Sequence, residues 1–104
     1  MAKAATRPGK VAMENVNTPG RSTSVDADKF EAMRAAILAV LPKAAEGMAV
    51  AELKAGVLPR LPDALFPGGD KAGWWLKGVQ LDLEAKGIIE RVPASKPLRL
   101  RRRR

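Results

Sequence analysis

At Gly87 the hydrophobic period of this chain changes from that of a helix to that of a strand, and the change narrows what it can fold into. Before it, Leu76, Val79 and Leu83 recur at three- and four-residue spacing, one stripe of a helix. After it, GIIERV (87–92), PASKP (93–97) and LRLRR (98–102) read as strand, turn and strand. Leu98 and Leu100 alternate with Arg99 and Arg101, so one face of the last strand is apolar and the other basic. Glycine accepts the left-handed backbone that closes a helix, which makes Gly87 the boundary. The expected class is α+β, mostly helical, with a C-terminal β-hairpin.

Two more helices precede that boundary. Asp26 is a good N-cap, and Val25 and Phe30 are placed to form a hydrophobic staple around it. Phe30, Met33, Ile37 and Leu41 then make one apolar stripe, which Pro42 ends. A second helix runs from about Val50 to Leu58, with Leu53 and Val57 one turn apart. Its N-cap position, Ala49, offers no side-chain oxygen, a lack worth about 1 kcal/mol. Pro59 and Pro62 break the pattern, leaving a loop to Gly69 that holds a turn of helix. The third helix is expected to start after Asp70 as N-cap and to run to Lys86. Upstream, residues 1–9 lack any period and read as a disordered basic arm. Residues 10–16 suggest a short strand carrying Val11 and Met13, and NTPGR (17–21) is a turn. The expected core joins Phe30, Met33, Ile37, Leu53, Val57, Leu76, Val79, Leu83 and Ile89. Residues 10–100 form a single domain, with 10–25 as an N-terminal extension and 101–104 as a basic tail.

A length of 104 residues suits one domain. The chain has no cysteine, histidine or tyrosine, so disulfides, thiolate metal sites and histidine-assisted proton transfer are all excluded. Its 11 carboxylates read as ordinary helix-surface charge. No enzymatic activity, cofactor or metal is expected. No stretch approaches the roughly eighteen apolar residues of a membrane span. The basic segment 1–10 lacks the apolar run of a secretory signal, so the cytoplasm is the expected compartment.

The net charge of +8 is unevenly placed. Residues 1–25 hold Lys3, Arg7, Lys10 and Arg21 against Glu14, whereas 26–87 are close to balanced. Residues 88–104 hold Arg91, Lys96, Arg99, Arg101, Arg102, Arg103 and Arg104 against Glu90. The arginine run is either a solvated tail or an electrostatic footprint on phosphates.

Helix, helix, longer helix and basic hairpin is the element order of winged helix-turn-helix domains. WLKGVQLDLEAKGIIERV (75–92) resembles the end of the recognition helix and the first wing strand in bacterial winged-helix regulators. A second resemblance rests on NVNTPGR (15–21), LFPGGDKAGWW (65–75) and VQLDLEAKG (79–87), which look like a small uncharacterised bacterial family. That family adds support for the fold and carries over no site. The winged-helix resemblance implies duplex DNA binding, with transcriptional regulation as a role. The exposed N-terminal half of the third helix would enter the major groove, and the wing would lie along the backbone. Lys71, Lys77, Arg91, Lys96, Arg99 and the four terminal arginines are then the nucleic-acid contacts. The groove-facing set is poor in base-reading groups, and Gln80 would read adenine only if exposed.

Two further features bear on function. GGDKAG before the third helix lacks the spacing of a phosphate-binding loop, and Asp70 would repel an anion. The pair Trp74-Trp75 reads as packing rather than a base-stacking platform. Trp74 and Leu81 lie two helical turns apart on one face, away from the Leu76 stripe. Exposed together, they would make a protein-contact patch for a second copy or another partner, the alternative to DNA binding. Covering of that face by residues 11–16 is the expected arrangement, since Val11 and Met13 have no other obvious partner.

Overall fold

The computed structural model describes residues 9–103, and the chain is α+β, with three helices and two small antiparallel sheets. The expected arm, apart from Gly9, and Arg104 lie outside the described residues. Strand β1 (Lys10–Glu14) turns through residues 15–21 and pairs with β2 (Ser22–Asp26), setting Val11 opposite Val25 and Met13 opposite Thr23. The turn is held by Asn15, whose Oδ1 accepts from Asn17 N at 2.8 Å and whose carbonyl accepts from Thr18 N at 3.0 Å. Residues 22–26 carry no strand signal of their own, since Val25 alone is apolar; pairing with β1 makes them a strand.

Helix α1 (Ala27–Val40) begins where expected. Asp26 Oδ1 accepts from Asp28 N at 2.9 Å and Lys29 N at 3.2 Å. Val25 and Phe30 are both buried around that cap. Past Pro42 the chain makes a short strand, β3 (Met48–Ala49), before helix α2 (Val50–Val57). The absent oxygen at Ala49 is half made good from the other side, because Glu52 Oε1 accepts from Ala49 N at 3.1 Å. Helical turns at Leu58–Arg60 and Pro67–Gly69 fill the proline-rich loop, and between them Phe66 is buried edge-on to Trp75.

Helix α3 (Ala72–Ala85) departs from expectation at its start. Its N-cap is Lys71, at φ 59°, and no side chain caps it. Asp70 stands one residue too early, because the left-handed turn at Lys71 separates it from the helix. The C-terminus behaves as read: Gly87 has φ 72°, Ile88 N donates to Leu83 O at 2.9 Å, and Gly87 N donates to Glu84 O at 3.1 Å. Strand β4 (Ile89–Arg91) and strand β5 (Arg99–Arg102) form the expected hairpin. β3 adds to the other edge of β5, so the sheet order is β3-β5-β4.

All nine expected core residues are buried in one cluster, joined by Met13, Val25, Leu41, Phe66, Trp75 and Leu100. The segment 101–104 is not a tail at its beginning. Arg101 and Arg102 belong to β5, the central strand, because Leu100 packs in the core and holds the strand register against Met48 and Arg91.

Candidate nucleic-acid interface

Along α3, five consecutive residues, Val79, Gln80, Leu81, Asp82 and Leu83, are buried. Five successive positions cover more than a full helical turn, so this part of the helix is enclosed on every side. One side faces the core. Another is covered by the N-terminal hairpin: Glu14 N donates to Asp82 Oδ1 at 2.8 Å, and Val16 N donates to Leu81 O at 3.3 Å. Met13 lies on Gly78, where a Cβ would stand 2.7 Å from the Met13 methyl carbon. The fully buried Asp82 carboxylate also holds Lys86 Nζ at 2.8 Å, so the charge is paired.

The hairpin thus splits the expected contact patch. Leu81 is 7% exposed beneath it, whereas Trp74 is 57% exposed, edge-on to buried Trp75. Too little of Leu81 is left open for the two to form the expected apolar patch. Apart from Ala85 at its far end, what α3 leaves open is its first two turns, where Gly73, Trp74 and Lys77 are exposed, with Lys71 just before them.

The expected cations fall into two groups. Lys71 and Lys77 stand on the open end of α3, and Lys96 is exposed on the turn between β4 and β5. The arginines of the set that lie among the described residues are occupied within the fold. Arg91 Nε binds Glu84 Oε1 at 2.6 Å; this hydrogen bond, with the charge attraction behind it, raises the guanidinium pKa above its ordinary value. Arg99 donates to the carbonyls of Glu46 at 2.8 Å and Gly47 at 3.2 Å. Arg101 binds Glu90 at 2.7 Å and the Ala45 carbonyl at 2.6 Å. Arg102 donates to the Leu41 carbonyl at 2.8 Å, and Arg103 stands 3.5 Å from Glu90. Arg91 ties β4 to α3, whereas Arg99, Arg101, Arg102 and Arg103 fasten β5 to the 41–47 loop and to β4. Gln80 is no base reader either, because it is buried and donates to Glu84 Oε2 at 2.9 Å.

One residue that the sequence did not single out joins the open group. Lys54, exposed on α2, reaches across Gly73, where a Cβ would lie 3.5 Å from its Nζ. Lys54 and Lys77 line a groove of about 510 Å³ that also takes in Asn17 and Arg91 and has no acidic residue in its lining. A second cleft, of about 370 Å³, shares Gly73, Lys77 and Leu81 with it and is walled by Trp74, Met13, Asn15 and Thr23. It too lacks an acidic residue. Lys54 sits beside the buried Leu53 on a short helix, and nothing in its local sequence marks it; proximity to α3 does.

Among the described residues, no group of three or more His, Cys, Asp or Glu side chains is placed to hold a metal ion. No helix among them is long and apolar enough to cross a membrane. A model of a family of unknown function, DUF6958, matches residues 10–100, and the chain belongs to that family. No curated protein and no solved structure matches it.

Proposed function

We propose that this is a winged-helix DNA-binding protein of the cytoplasm, serving transcriptional regulation, that engages duplex DNA through the open end of α3, Lys54 and the turn of its C-terminal hairpin. The winged-helix reading is supported by the order α1, β3, α2, α3, β4, β5 with β5 in the middle of the sheet. The observation that carries DNA binding is the groove across Gly73, where Lys54 and Lys77 converge with no carboxylate in the lining. Free lysines facing one groove suit phosphate contacts, which position a protein on DNA without reading sequence. Lys71, just before α3, and Lys96, on the hairpin turn, are exposed as well and are proposed as further phosphate contacts. The rival, a protein-contact module or homodimer through α3, loses half of its patch with Leu81 covered.

Titration of a fluorescent duplex over a salt series tests the proposal. Each phosphate contact contributes about 0.9 to the slope of log affinity against log salt, so Lys54→Ala with Lys77→Ala should flatten it by about 2. Both side chains are exposed, and the variant should melt with the parent. Absence of duplex binding at low salt would sink the proposal.

A further inference from the structure

Trp74 is the most exposed large apolar side chain of the described residues, and the cleft beside it has no occupant within the fold. Its volume, about 370 Å³, falls within the roughly 300–1,000 Å³ of small-molecule sites. One wall is the Trp74 indole, and Met13 lies against Gly78 below it. The hairpin contributes Thr23, an exposed residue, and Asn15. Asn15 Oδ1 already accepts from Asn17 N, which leaves its carboxamide nitrogen as the donor that side chain has to offer. Lys77 stands on the rim shared with the groove of Lys54.

An aromatic wall, two neutral polar side chains and cations at the rim match the parts of a nucleotide: a base face, a base edge and a phosphate. Bases inside an intact duplex are stacked on one another and offer only their edges to the protein. A base outside the stack offers its π-face, and aromatic side chains bind it with little regard to sequence. The hairpin strengthens the argument. It covers Gly78, Leu81 and Asp82, on the same side of α3 as Trp74, so a duplex meeting Lys77 and Trp74 can reach α3 only at its first two turns.

We propose that the cleft between the N-terminal hairpin and the start of α3 takes an unpaired DNA base stacked on Trp74, while Lys77 and Lys54 neutralise the adjoining phosphates. The favoured ligand is a duplex with a bulged or locally opened strand. This rests on the DNA-binding reading and specifies its substrate.

The test uses the full chain and three labelled DNAs: an intact duplex, the same duplex with a bulge of thymines, and the thymine-rich single strand. The bulged duplex should bind more tightly than the intact one and quench the exposed tryptophan. Trp74→Ala should lower affinity for the bulged duplex by roughly 5- to 150-fold, the range of one stacked base. Its affinity for the intact duplex should fall by much less, because no base of that duplex leaves the stack to meet the indole. Trp74→Phe, which keeps an aromatic face, should restore much of the preference, and melting of both variants checks that Trp75 stays packed. Equal binding of intact and bulged duplexes, indifferent to Trp74→Ala, would overturn the base site and leave DNA binding standing. If no DNA binds at low salt, both readings fall. Self-association that depends on Trp74, with no response of the indole to any DNA, would also overturn it.

Discussion

Strand β5 with its flanking arginine and the open end of α3 carry comparable positive charge, yet the two regions do different work. In Arg99, Arg101 and Arg102 the guanidinium groups are hydrogen-bonded to backbone carbonyls of the 41–47 loop, and Arg101 and Arg103 also meet Glu90. The planar guanidinium, with five N–H donors, suits that task, since it can satisfy several carbonyls at once. Lys54, Lys71 and Lys77 carry single ammonium groups with no acidic side chain in ion-pair range among the described residues. Net charge alone points to the arginines. The contacts that each cation already makes point to the lysines.

The sharpest way to break this contrast is to remove β5. Truncation after Leu98 would test a loose tail only if the tail were separate from the fold. Here it deletes the central strand and Leu100, so circular dichroism should show loss of cooperative melting. Leu100→Ala alone, at a fully buried site, should cost about 2–5 kcal/mol in denaturant unfolding. A loss of a few tenths would return the strand to the status of a tail.

Gly47 gives the next largest effect. It has φ 64°, and a Cβ there would lie 2.6 Å from the Leu100 carbonyl oxygen, a backbone atom with little room to move. The left-handed conformation alone disfavours alanine by about 1–2 kcal/mol. Gly47→Ala should therefore cost more than Gly68→Ala, where φ is 61° but the space is open. Equal losses would mean that the 41–47 loop does not rest on β5.

The smallest change in stability compares the two kinds of cation directly. Arg101→Gln should lower stability by about 1 kcal/mol, as expected for a partly exposed ion pair, and leave the salt slope of DNA binding unchanged. The lysine double variant should do the reverse. If Arg101→Gln flattens the slope and the lysine variant does not, the interface lies on the sheet and the contrast is inverted.

Much of the fold was legible because local chemistry decides it. Asp26 caps α1, Pro42 stops it, and Gly87 ends α3, each through the backbone conformation it permits or the hydrogen bonds it accepts. Other boundaries were not local. The two residues of β3 have no pattern to read, and the Asp70 cap yields to a left-handed Lys71 that no local residue preference signals. The candidate site was legible in part. Lys71, Lys77 and Lys96 are exposed as expected, whereas Arg99 and Arg101, expected on the solvent face of a hairpin, meet the loop that leads into a third strand.

Sequence by itself determined three helices, a closing hairpin and the residues that meet in one core, because helical and strand periods select which side chains can share an apolar face. It also placed a strand at residues 10–16, whose Val11 and Met13 called for a cover. Only the tertiary structure decided which cations remain open, which tryptophan is buried and how far the hairpin reaches along α3. Those outcomes depend on carbonyls, carboxylates and apolar surfaces brought together from distant parts of the chain: Glu14 with Asp82, Arg102 with Leu41, Lys54 with Gly73. No local period encodes a contact of that kind.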